Sequence, residues 1–193
     1  MAFPTTPIID NFNRANEDPL AGYTKVSGSG QLGIVSNQLV RTQAVAAYVV
    51  KDGLPVSPNQ EAYFTIVTQG AADAISSVLL RATGDTFYRV GIAPGTPWKL
   101  VLERWDSGVD TPIGGSPVTV GTYNDGDQFG ARINGSKIDA FLNGLVIGSV
   151  EDANIASGEQ IGLQVSASPW VVDNFGGGNY QPEVFDASPS CLS

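Results

Sequence analysis

With no histidine and one cysteine among 193 residues, chemistry in this chain falls to carboxylates, arginines and aromatic rings. That removes Ser-His-Asp and Cys-His nucleophilic catalysis and most zinc sites. The densest run of such groups is WKLVLERW, residues 98–105, followed by Asp106. In a strand, Glu103 and Asp106 stand on opposite faces because their offset is odd. They cannot act as a pair. Period-2 parity in the strands expected to be central points Arg81, Arg89, Glu103, Trp105, Arg132 and Asp139 outward. An indole beside guanidinium groups offers a stacking platform with charge-assisted donors. Tyr63 and Tyr88 fit either face. A solvated sheet face with compensating ion pairs is the plainer reading of the same residues.

The elements that must position these side chains are strands. Glycine occurs 23 times and proline 12, only 15% of residues are charged, and no helical window is periodic. Period-2 segments bounded by turn residues predict strands at 32–35, 44–50, 61–68, 75–81, 86–93, 98–105, 118–120, 128–134, 137–142, 145–150, 160–166 and 170–175. About a dozen short strands without helices predict a sandwich or barrel. Asn134-Gly135 and Asn143-Gly144 suit two-residue type I′ turns and sit nine residues apart. Residues 128–150 therefore read as a three-stranded meander. Its apolar side carries Phe129, Ala131 and Ile133, then Ile138, Ala140 and Leu142.

A hydrophobic fraction of 42% suffices for the core of one domain. The net charge of −9, with its ten cations scattered singly, argues against nucleic acid. No apolar run is long enough to span a bilayer. The start, MAFPTTPII, lacks the basic and apolar regions of a signal peptide, so synthesis in the cytoplasm is expected. The lone Cys191 excludes an intrachain disulfide.

The tripeptide Asp-Asn-Phe occurs at 10–12 and again at 173–175, each time after a β-branched pair. The spacing fits first and last strands lying side by side in one sheet. The opening DNFNRANEDPLAGYTKVSG resembles the start of concanavalin A-like lectin/glucanase domains, also called LamG-like jelly rolls. Leu20-Ala21-Gly22-Tyr23 is an imperfect counterpart of their Leu-Gly-x-Trp motif. Asp125-Gly126-Asp127, Asn143-Gly144 and Asp173-Asn174-Phe175 fit their closing half. The resemblance spans residues 8–175 and implies an all-β, two-sheet antiparallel jelly-roll sandwich.

It also implies a set of possible activities. Glycanases of this superfamily carry a Glu-x-Asp-x-Glu motif on one strand; this chain has none, so no catalytic residue is assigned. Carbohydrate sites in such folds lie on a concave sheet, for which the six outward residues above are the candidates. A structural calcium near the termini would fall to Asp10 and Asp173. No other cofactor is expected. The domain organisation expected is an arm at 1–7, the jelly roll at 8–175 and a tail from 176 that the three glycines release from the fold. Tyr180, Val184, Phe185 and Leu192 would then be anchors for a partner. Resemblance to stand-alone phage jelly rolls implies a non-enzymatic structural or adhesion protein of a virion, such as a capsid decoration or minor tail protein. Its partners would be other virion proteins or copies of itself, and host surface glycans. The alternative is a carbohydrate-binding module outside any virion, and after that a glycoside hydrolase.

Overall fold

The computed structural model describes residues 2–43, 45–166 and 169–181. Sixteen strands run in chain order: β1 (Ile8–Asp10), β2 (Tyr23–Ser27), β3 (Leu32–Val35), β4 (Gln38–Arg41), β5 (Ala47–Lys51), β6 (Gln60–Thr68), β7 (Ser76–Thr83) and β8 (Thr86–Ala93). The second half comprises β9 (Trp98–Asp106), β10 (Val109–Pro112), β11 (Val118–Val120), β12 (Gln128–Asn134), β13 (Lys137–Leu142), β14 (Leu145–Glu151), β15 (Gln160–Val165) and β16 (Val171–Asn179). No helix occurs among the described residues. Of these strands, β2, β4 and β10 lie outside the set expected from the sequence pattern; each is only four or five residues long.

Two antiparallel sheets of eight strands face each other. Sheet I has the order β14-β13-β12-β6-β16-β4-β3, with β1 also paired to β16. Sheet II has the order β10-β9-β8-β7-β15-β5-β2, with β11 also paired to β9. The apolar parity of each strand makes the core between them. Sheet I contributes Ala62, Phe64, Phe129, Ala131, Ile133 and Ile138; sheet II contributes Val78, Leu80, Val90, Ile92, Leu100 and Leu163. Strand β9 pairs with β8 along one edge and with β10 and β11 along the other.

The two Asp-Asn-Phe copies do meet. Strands β1 and β16 pair through Ile8↔Gly176 and Asp10↔Phe175, and Phe12 and Phe175 are both fully buried. They are not conformationally equivalent, since the positive φ falls on Phe12 in one and Asn174 in the other. The Asn143-Gly144 turn is as expected, with φ of 48° and 81°. The other turn is displaced by one residue: Asn134 pairs with Lys137, and the loop is Gly135-Ser136, with φ of 59° at the glycine.

The glycine run does not end the fold. Strand β16 continues through Gly176, Gly177 and Gly178, paired to Tyr63, Ala62 and Glu61 of β6. A Cβ on Gly176 would lie 2.1 Å from the Tyr63 ring, so glycine is what lets the strand pass beneath it. Tyr180 is buried as well. The described fold therefore runs past residue 175, and the arm, residues 2–7, packs on the outer face of sheet I.

Candidate functional site

Strands β7, β8 and β9 form a meander on sheet II, in which Arg89 lies directly across from Glu103 and Phe87 across from Trp105. Arg89 Nη2 is ion-paired to Glu103 Oε2, and Nη1 donates to the Tyr48 hydroxyl at 2.9 Å. Trp105 Nε1 donates to the same Glu103 oxygen at 3.3 Å. The Trp105 ring is stacked on Phe87 at 5.5 Å, and the Arg89 guanidinium lies 5.7 Å from its centroid. Tyr48 comes from β5, four strand spacings from β9. On a flat sheet those positions would be about 19 Å apart, yet the Tyr48 and Trp105 ring centroids are 5.0 Å apart. Two side chains cannot span that difference, so sheet II curls toward its outer face.

Small residues complete the floor of this concavity. Gly162 and Gly91 admit no side chain, since a Cβ would meet Val49 O at 2.0 Å and Ser77 Cβ at 2.7 Å. Beside them, Ser77 Oγ donates to Gln164 Oε1, both residues buried. Burial raises the pKa of Tyr48 despite the neighbouring Arg89, so its hydroxyl stays protonated. The buried Nε of Arg89 has no acceptor among the described residues.

The six outward residues expected as one site are divided among three places. Only Arg89, Glu103 and Trp105 share the concave face. Arg132 and Asp139 lie on the outer face of the opposite sheet, because β12 and β13 belong to sheet I. Arg81, at positive φ in an irregular stretch of β7, turns off the face altogether and bonds carbonyls of three loops. Parity within a strand was legible, but sheet membership was not. Tyr48 was missed; its signal was the alternation in AYVVK, where it takes the outward position.

On sheet I, Arg132 is ion-paired to Glu61 of β6 at 2.7 Å, and the Glu61 side chain is fully buried. The cover is the arm. Thr6 N and Oγ1 donate to Glu61 Oε1 at 2.6 and 2.8 Å, joined by Thr5 N and Oγ1. Phe3 stacks on Phe141 at 4.0 Å, and Ala2 O accepts from Arg132. Burial alone would raise the Glu61 pKa, but bonds from Arg132, Thr6 and Thr5 outweigh it and hold the carboxyl below its ordinary value. Tyr180 lies against the Arg132 guanidinium at 4.1 Å. It is thus part of the folded body, which corrects its assignment to a released tail. Val184, Phe185 and Leu192 lie outside the described residues. Asp139 accepts from Lys137 and Ser149.

Asp10 and Asp173 come close enough that the charge of Asp10 adds to burial in raising the Asp173 pKa. Asp10 is committed elsewhere: it accepts from Arg14 at 2.7 Å, from Phe12 N at 2.9 Å and from the Tyr23 hydroxyl at 3.2 Å. Among the described residues, no three His, Cys, Asp or Glu cluster in a way that could hold a metal ion.

Two eight-stranded antiparallel sheets, with β1 and β16 paired and one outer face curled, make an all-β two-sheet jelly-roll sandwich. The solved structures it matches agree. A carbohydrate binding module, CBM66 of Bacillus subtilis, superposes with a TM-score of 0.57 at 14% identity, over 82% of this chain and 92% of that one. The CBM2 module of the evolved Dit of Lactobacillus casei BL23 phage J-1 matches at 0.55 and 13%, over 86% and 91%. The exoplasmic/lumenal domain of VIP36, in its Ca²⁺- and Man-bound form, matches at 0.58 and 8%, over 86% of each chain. At such identities the likeness is one of fold. No family model matches the sequence, and no curated protein does.

Proposed function

We propose that this chain is a non-enzymatic adhesion module that binds a saccharide on the concave face of sheet II, and that a phage particle displays it. The observation that carries the binding reading is Trp105, half-buried at the rim of that face and fixed between Phe87, Tyr48 and the Arg89–Glu103 pair. A ring braced in this way loses little entropy when a sugar stacks on it, and the flanking charged pair supplies both donors and acceptors. Because Glu103 cancels the Arg89 charge, the face suits a neutral sugar. The Glu103 carboxylate already accepts from Arg89 and Trp105, which supports a binding role over an acid–base one. The carbohydrate binding module among the solved structures supports the saccharide reading, and the phage Dit module supports the particle context.

A glycan array with the wild-type chain and Trp105→Ala tests the site. The wild type should bind, and the variant should lose about tenfold or more in affinity. Equal binding by both would remove the concave face from consideration. Sugar release from polysaccharides that vanishes in Glu103→Gln would make the chain an enzyme. For the particle context, mass spectrometry of purified virions should find this chain in stoichiometric amounts.

A further inference from the structure

Arg81 is 3% exposed, and its side chain turns from the concave face toward the loops that carry Pro58, Gly135 and Ile155. Its Nε donates to Pro58 O at 2.8 Å, Nη1 to Ile155 O at 2.7 Å and Nη2 to Gly135 O at 2.6 Å. All three acceptors are neutral. The other two buried arginines, Arg89 and Arg132, are each paired with a glutamate; Arg81 has no carboxylate partner among the described residues. Burying a guanidinium without a counter-charge is costly, and here desolvation lowers its pKa with no carboxylate opposing it. Three of its five N–H donors are used, which leaves one on each terminal nitrogen. The backbone is also held at a φ of 50°, uncommon for a non-glycine residue.

Beside this cation opens a groove of about 270 Å³, lined by Pro58, Asn59, Arg81, Ser136, Ala153 and Ala156. Asn59 accepts from Gly135 N through Oδ1, so its amide nitrogen is left to face a ligand. We propose that this groove is a second binding site, which takes the carboxylate of an acidic sugar on the two remaining Arg81 donors. The ligand oxygens supply the missing counter-charge, while Asn59 and Ser136 meet neighbouring hydroxyls. The site is separate from the concave face and does not depend on it. A chain with both would bind a neutral sugar on one surface and a uronic acid in the groove beside Arg81.

The test follows the Arg81 Nε–H signal of the full chain by NMR during titration with sodium D-glucuronate at constant ionic strength. D-glucose and inorganic phosphate serve as the comparison arms. Glucuronate should give a saturable shift and glucose none. Ala156→Phe fills the groove from an exposed position without touching the three carbonyl bonds, and should weaken glucuronate about tenfold or more. Ser136→Val gives a second, smaller block, and Trp105→Ala should leave the titration unchanged. Silence toward glucuronate overturns the proposal. So does a response to phosphate alone, an equal response to glucose, or a glucuronate response that Ala156→Phe does not alter.

Discussion

Each outer face of the sandwich carries one buried arginine directly across from one glutamate: Arg132 and Glu61 on sheet I, Arg89 and Glu103 on sheet II. The pairs begin from the same cross-strand chemistry and end differently. Over Glu61 the chain lays its own arm, whose two threonines complete the carboxylate's hydrogen bonds while Phe3 seals the aromatic side. Over Glu103, among the described residues, lie only Tyr48 and Trp105, leaning in from the curl of the sheet. What distinguishes a structural ion pair from a candidate binding surface here is the cover laid over it.

The sharpest way to break this comparison is the same substitution made twice. Glu61→Ala leaves the buried Arg132 without its counter-charge and four arm donors without their acceptor, and should cost about 3–5 kcal/mol in urea unfolding. Glu103→Ala, at a pair nearer solvent, should cost less, about 1.5–3 kcal/mol. Equal losses would show that the arm contributes nothing to the first pair. Acid sharpens the same contrast. The Glu61 pKa is lowered on folding, so the stability it lends is full above the unfolded carboxylate value of about 4.3 and is lost as pH falls through the lower folded value. Melting curves below about pH 4 should fall steeply for the wild type and more gently for Glu61→Gln.

Smaller effects follow on the arm side. Gly144 sits at a φ of 81° in the β13–β14 turn, and a Cβ there would come within 3.1 Å of Phe3 O. Gly144→Val should cost about 1–2 kcal/mol by thermal melting, because a β-branched residue resists positive φ. An unchanged melting temperature would mean the turn relaxes without disturbing the arm. Least of all, Asp173→Asn should leave stability at pH 7 unchanged or slightly raised. Burial and Asp10 both disfavour the charge at Asp173, so removing it relieves rather than costs.

How much of this was written in the sequence depends on range. Parity inside a strand was legible: Phe129, Ala131 and Ile133 fall inward and Arg132 outward, as alternation requires. The pairing of the two Asp-Asn-Phe ends was legible too, because both copies bury a phenylalanine against one core. The site was not, since Arg89 and Arg132 look alike to a period-2 rule and only the sheet order sends them to opposite faces. The glycine run misled for a related reason. Read locally, three glycines loosen a chain; packed against the Tyr63 ring, they are the residues small enough to continue the strand.

The place of β16 has a consequence for how the molecule comes to be. This strand, the last among the described residues, lies between β6 and β4 in the middle of sheet I, with Val171 opposite Thr68 across 103 residues. Until it is synthesised, β1 has no partner and sheet I is split into β14-β13-β12-β6 and β4-β3, with the inner edges of β6 and β4 open and able to recruit another chain. Productive folding must therefore wait for residues 171–179, and the search that closes so distant a contact sets a slow rate. A chain whose translation stops short of Val171 should accumulate as aggregate rather than as a smaller domain.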